Sequence, residues 1–182
     1  MTFKISPLAV PGLLVLDPLV HEDHRGLFWE TFKASEFRDM GLPDQFCQDN
    51  HSLSRRGVVR GLHYQLPPHG QAKLVRCLSG EIFDVAVDVR RGSETFGRWA
   101  ALVLSAENKR MFYIPEGFAH GFCALSETAE VHYKATGEYC QEAERGVCWS
   151  DQTLGILWPV EEPLTSEKDS LFPPLRLAEV FQ

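Results

Sequence analysis

The chain has 182 residues, 44% of them hydrophobic and 24% charged, which is the profile of a globular domain able to bury a full core. Its formal net charge of −7 excludes the basic balance that binding a phosphate backbone requires, so no nucleic-acid partner is expected. The five cysteines, Cys47, Cys77, Cys123, Cys140 and Cys148, show no Cys-x-x-Cys spacing, which points to reduced thiols in a cytoplasmic setting.

The N-terminal stretch lacks a basic leader, and Pro7 and Pro11 break its apolar run. Neither a signal peptide nor a membrane span is expected. Residues 3–5 and 13–16 read as short edge strands, and residues 25–30 (RGLFWE) as a strand with Arg25 and Glu30 beside two aromatics. Residues 34–40, closed by Gly41, are the one convincing early helix. In the polar strand 46–50 (FCQDN), Gln48 and Asn50 share a face and offer amide donors and acceptors.

Residues 57–65 and 72–77 form the next two strands, parted by Pro67, Pro68 and Gly70. Residues 81–89 alternate cleanly: Phe83, Val85, Val87 and Val89 on one face, Asp84, Ala86 and Asp88 on the other. Strands follow at 98–104 and 111–114, then a turn at Pro115 leads into another through His120. Residues 129–139 set Val131, Tyr133, Ala135 and Gly137 against His132 and Lys134. The tail from Cys148, rich in Pro, Trp and Leu, reads as a cover with a short helix near Leu177. Many short strands and little helix predict an all-β double-stranded β-helix, or jelly roll, with a few short helices and one domain over 1–182.

The stretch 57–73 (GVVRGLHYQLPPHGQAK) concentrates chemistry. His63 and Gln65 share a face of their strand, as do Lys73, Val75 and Cys77 of the next. Arg60 is out of phase with His63, but Gly61 lies between them, where a bulge re-aims a side chain. A titratable base and two cations then line one cavity, fit for a small anion. Read singly, each has a plainer explanation: a surface charge, or a satisfied buried histidine.

Two segments resemble the paired motifs of cupins. Gly57 stands six positions before His63, and Pro115-Glu-Gly117-Phe-Ala-His120 matches the core of the second motif. Gln65 and Lys73, however, stand where metal ligands would, and two histidines beside an ammonium suit a divalent metal poorly. A lysine can instead stabilise a developing oxyanion. No metal and no cofactor are expected.

Over nearly its whole length the chain resembles the dTDP-4-dehydrorhamnose 3,5-epimerase family. The resemblance rests on RGLFWE, QDNHS, VVRGLHYQ, AKLVRC, FDVAVDVR, IPEGFAHGF and VHYKAT, then WSD at 149–151 and SEKD at 166–169. It implies a cofactor-free isomerase of dTDP-deoxysugar (rhamnose) biosynthesis acting at C3 and C5 of a dTDP-4-keto-6-deoxyhexose. His63 would be the base, Asp169 the carboxylate that orients it, Lys73 the enolate stabiliser and Tyr133 the acid on the opposite face. Arg60 and His120 would line the hexulose and diphosphate site. Arg25, Phe28, Glu30, Gln48, Asp49 and Asn50 would hold the nucleotide, some reaching in from a partner subunit of a homodimer. Tyr139 would stack on thymine, with Glu144 and Lys168 as further contacts.

The residues themselves leave some choices open. The carboxylate on His63 could as easily be Asp84 or Asp88 as Asp169. Tyr133, on the apolar side of its strand, is equally a core tyrosine, and His51 and His132 have no evident partner. A related epimerase acting at one carbon would look almost the same. Gln65 and Lys73 disfavour a metal-dependent cupin oxygenase. A binding module would have no reason to keep base, acid and oxyanion donor together.

Overall fold

Strict alternation in β8 (Glu81–Asp88) sets the architecture. Ile82, Asp84 and Ala86 face one way into a lumen, while Val85 and Val87 face the other. A strand buried on both sides belongs to the middle of a layered fold. The computed structural model describes residues 2–182.

Before it in the chain come β1 (Phe3–Pro7), β2 (Leu14–Pro18), β3 (His21–Asp23), β4 (Gly26–Phe28), α1 (Ala34–Asp39), β5 (Gln48–Arg55), β6 (Val59–Gln65) and β7 (Lys73–Ser79). After it come β9 (Trp99–Ser105), β10 (Met111–Ile114), β11 (Phe118–Ala124), β12 (Thr128–Ala135), β13 (Glu144–Gly146) and α2 (Glu167–Ser170). A six-stranded sheet runs β1-β2-β10-β7-β12-β5, and a five-stranded sheet runs β13-β6-β11-β8-β9. Every pairing within them is antiparallel. The fold is the expected all-β jelly roll.

Three apolar layers result. Between the sheets lie Val75, Ile82, Leu104, Phe112, Ile114, Phe122 and Val131, none more than 4% exposed. Outside the six-stranded sheet, Phe37 of α1 packs on Phe3, Leu16, Met111 and Tyr113. Outside the five-stranded sheet, Leu154, Leu175 and Val180 of the tail cover Leu62, Val85 and Val87. The tail is thus the cover its composition suggested. Each such buried aliphatic contributes about 1.5–3 kcal/mol relative to exposure.

The structure moves several boundaries. The strand expected at 25–30 is instead a two-stranded hairpin, β3–β4, ending at Phe28 and joined to neither main sheet. The strand expected at 46–50 begins at Gln48 and runs on to Arg55, because its lumen face, Asn50, Ser52 and Ser54, lies opposite β12 for its whole length. The short helix near Leu177 is a 3-10 turn, Leu175–Leu177. All five cysteines are free, and no helix among the described residues is long and apolar enough to cross a membrane.

Candidate active site

The site begins with a flaw in a ladder. Along β6 and β11, His63 pairs with His120 and Arg60 with Phe122, so two residues of β6 oppose one of β11. The extra residue comes at Gly61–Leu62. Gly61 has φ of +131°, and a Cβ there would lie 2.6 Å from Gly121 Cα. Only glycine fits, and the bulge turns Arg60 and His63 toward one pocket, as the sequence suggested.

The pocket has a volume of about 250 Å³ and is lined by residues of both sheets. His63 and His120 come from the five-stranded sheet; Lys73, Tyr133 and Asn50 come from the six-stranded sheet. Of the expected site residues, Asn50, Arg60, His63, Lys73, His120, Tyr133, Tyr139 and Glu144 lie together here.

His63 Nε2 is 2.7 Å from Asp169 Oδ1, and Gly61 N–H donates to Asp169 Oδ2 at 3.2 Å. Burial opposes the charge on Asp169, but the hydrogen bonds from His63, Gly61 and Ser166 outweigh it and hold its carboxyl below the usual range. An ionised carboxylate only accepts, so Nε2 carries the ring proton and Nδ1 keeps its lone pair for a substrate proton. The choice left open among three carboxylates is resolved: Asp84 bonds His120, and Asp88 is spent on Arg90, Ser93 and Thr95.

Lys73 is buried, with Nζ 3.5 Å from the His63 carbonyl and 5.9 Å from the centre of the Tyr133 ring. Burial pushes its pKa down to about 8. Burial also raises that of Tyr133, so the phenol is protonated at rest. The charged form of a lysine is its low-pH form. Activity that needs the Lys73 ammonium is therefore expected to hold below about pH 8 and to fall as pH rises through it. Lys73→Ala should lower kcat by about 10²–10³, the usual cost of one oxyanion donor. A kcat profile flat to high pH, or a Lys73→Ala variant with normal kcat, would remove the lysine from the chemistry.

A polar rim completes the mouth. Tyr139 donates its hydroxyl to Glu144 Oε2 at 2.8 Å, and Lys168 donates to Glu144 Oε1 at 2.6 Å. Gln48 accepts from Tyr139 N–H at 2.7 Å. Gln48 and Lys168 thus frame the pocket without lining it. Asp49 points to the opposite face of β5, pairing with Lys134 at 2.9 Å. Arg25, Phe28 and Glu30 line none of the pocket within one chain; the Arg25 side chain is 79% exposed and, among the described residues, pairs only with Asp23.

Gln65 spends its amide on the backbone of His69, Glu138 and Cys140. With His63 tied to Asp169 and His120 to Asp84, the positions of a cupin metal site do not fit a metal. No group of three or more His, Cys, Asp or Glu among the described residues could hold one.

Some contributors had no individual signal in the sequence. Phe172 packs edge-on against His63, ring centres 5.5 Å apart, and Gly146, paired with His63, leaves it room, since a Cβ there would lie 2.4 Å from the ring. The helix α2 was not expected from the sequence; Ser166 caps it by accepting from Asp169 N–H.

Comparison with known proteins bears on this arrangement. The model of the dTDP-4-dehydrorhamnose 3,5-epimerase family matches residues 7–176. The dTDP-4-dehydrorhamnose 3,5-epimerase of Shigella flexneri is 55% identical over 161 residues, 88% of this chain and 89% of that one. The dTDP-6-deoxy-D-glucose-3,5-epimerase of Legionella pneumophila, solved with dTDP-4-keto-L-rhamnose, superposes with a TM-score of 0.93 at 44% identity, covering 99% of each chain. The 3'-monoepimerase ChmJ of Streptomyces bikiniensis, solved with dTDP-quinovose, superposes with a TM-score of 0.89 at 39% identity, covering 93% of this chain and 87% of that one.

Proposed function

The chain belongs to the dTDP-4-dehydrorhamnose 3,5-epimerase family, and from its own site we infer an isomerase that inverts C3 and C5 of dTDP-4-dehydro-6-deoxy-D-glucose to give dTDP-4-dehydro-L-rhamnose. It acts as one domain over residues 1–182, in the cytoplasm, in rhamnose biosynthesis. The observation that carries this reading is the division of labour between sheets. The His63–Asp169 pair looks into the pocket from the five-stranded side, and Tyr133 and Lys73 look in from the six-stranded side. Inversion needs a base and an acid on opposite faces of one ring, and this lumen separates them in that way.

C3 and C5 both flank the C4 ketone, so either deprotonation puts charge on the same oxygen and one lysine serves both. In a gluco ring the hydrogens on C3 and C5 are axial on one face, so one imidazole also serves both. His63 Nδ1 takes the proton, the Lys73 ammonium faces the enolate oxygen, and the Tyr133 phenol returns a proton from the other side. Arg60 holds the diphosphate. Proton NMR of the substrate with enzyme in deuterium oxide tests the reading, since deuterium at both C3 and C5 is expected. Deuterium at one carbon alone would make the chain a single-site epimerase. No metal enters these steps, so turnover is expected to survive prolonged chelation. Loss on chelation with recovery on adding a divalent ion would overturn that expectation.

The nucleotide half is completed by a second copy of this chain. The hairpin β3–β4 is exposed at every residue, with Phe28 66% and Leu27 47% exposed. Meanwhile β5, the edge of its sheet, borders the pocket. Two adjacent exposed apolar side chains and an uncovered sheet edge are surfaces that proteins seldom leave bare. In a homodimer the partner's hairpin would bring Arg25 and Phe28 to the nucleotide beside Gln48 and Asn50, with Tyr139 stacked on thymine. Arg25→Ala and Asn50→Ala should each raise KM, about tenfold for the arginine, as loss of a charge-assisted bond implies, with kcat changed far less. A large fall in kcat at unchanged KM would place either residue in the chemical step.

A further inference from the structure

The lumen holds a second imidazole–carboxylate pair that the steps above do not use. His120 Nε2 is 2.7 Å from Asp84 Oδ1, the same separation as in the His63–Asp169 pair. The two histidines are direct partners across the β6–β11 ladder. The second pair is the deeper one, with the His120 side chain 6% exposed and that of Asp84 fully buried. Asp84 Oδ2, also buried, has no hydrogen-bond partner among the described residues. Leaving a buried carboxylate oxygen without a donor costs stability, and native structures keep few such atoms.

The pocket beside the pair suggests why that oxygen is kept: His120 lines it with its ring centre 6.3 Å from that of Tyr133, which lies 5.9 Å from Lys73 Nζ. His63, Arg60 and His120 come from the five-stranded sheet, Lys73 and Tyr133 from the six-stranded sheet, and Glu144 from β13. Two of these six are the basic side chains Arg60 and Lys73. Arg60 is held by Ser54 and by the Leu53 carbonyl. Among the described residues Lys73 has one long contact to a carbonyl and no salt bridge. Two carboxylates act on it electrostatically, Asp84 first and Glu144 second. Glu144 is already engaged by Lys168 and Tyr139. Asp84 is the one with an oxygen to spare.

We propose that Asp84 is a positioning residue of the epimerisation: Oδ1 fixes the His120 ring, and Oδ2 is the counter-charge of the Lys73 ammonium. The proposal rests on the epimerase reading. Lys73 must be buried to act on an enolate in a low dielectric, and the same burial drives off its proton. A carboxylate across the lumen offsets that loss. It stays unbonded because a direct salt bridge would neutralise the charge the enolate needs.

The test is Asp84→Asn, which keeps volume and shape, followed by NMR across the neutral and alkaline range. We expect kcat to fall about ten- to a hundredfold, as for other residues that hold an active group in place, with KM changed little. The alkaline limb of kcat should move to lower pH, because a charge that raised the Lys73 pKa is gone. Asp84→Glu should bring the limb back toward the wild-type position while kcat stays reduced. An unmoved limb in the Asn variant, or a loss confined to KM, overturns the proposal. If neither variant folds, Asp84 serves the fold alone and the proposal also falls. Wild-type enzyme without deuterium uptake would overturn the epimerase reading itself, whereas uptake in the wild type with an unmoved limb in the variant overturns only the role of Asp84.

Discussion

His63→Ala is expected to stop both net epimerisation and solvent-deuterium uptake at C3 and C5, with kcat lowered at least ~10²-fold and by up to ~10⁴-fold. Carbon acids beside a ketone do not release protons to water at useful rates near neutrality. The base must be in contact with the hydrogen, hold a free lone pair, and be reset each turnover. His63 Nδ1 keeps such a lone pair, because Asp169 engages Nε2 at 2.7 Å, and with its side chain 31% exposed against 6% for the similarly tied His120 it is the imidazole open to a substrate. Asp169→Asn should then cost less than His63→Ala but act on the same step, since an amide at 169 can present a donor to Nε2 and so favour the wrong tautomer. Exchange and product formation are followed together by proton NMR. Exchange at the wild-type rate in His63→Ala would assign the base elsewhere, and His120 would be the next candidate.

The sequence made the strands legible wherever a strand is buried on at least one face. The alternation of 81–88 and the short apolar run 111–114 were read nearly to the residue, because burial leaves period two or continuous apolarity behind. Boundaries failed where polar residues line a lumen. Nothing local shows that Asn50, Ser52 and Ser54 continue a strand, since their partner is β12, some eighty positions later in the chain. The hairpin β3–β4 failed for the opposite reason: its apolar residues, Leu27 and Phe28, are exposed, so an apolar run there marks no place in a sheet of the core.

The candidate site was legible in proportion to how local its chemistry is. Gly61 and His63 lie two positions apart, and the bulge between Arg60 and His63 followed from a glycine in a strand. The pairing of His63 with Asp169 spans 106 positions, and three aspartates competed for it until the fold separated them. Even then, the parity of 81–89 had set Asp84 and Ala86 on the face opposite the valines, and the structure turns that face to the lumen. Phe172 and Gly146 left no separate trace, because a ring seated against an imidazole in the space beside a glycine has no spacing in sequence. Asp49 misled for a simple reason: next to Asn50 in the strand, it points to the other face and pairs with Lys134.

Tyr133→Phe separates the two halves of the reaction. The substitution removes one oxygen from a ring already packed on the lumen core, so the pocket keeps its shape and His63, Asp169 and Lys73 keep their contacts. Deprotonation is therefore expected to continue, and deuterium should still enter the sugar. Protonation from the far face should fail, since the phenol is the neutral acid facing the ring from the six-stranded sheet, held protonated by its burial. The enolate then recovers its proton from the His63 side, with retention. Net inversion should drop by about 10²–10⁴, the range for a lost general acid, while exchange falls much less. The effect need not be equal at the two carbons. The carbon farther from Tyr133 can take its proton from water in the pocket. The expected product mixture is thus deuterated starting sugar, with any residual inversion confined to one position. Normal inversion at both carbons in Tyr133→Phe would show that the acid on the far face is another group, and loss of exchange and inversion together would place Tyr133 in proton removal as well.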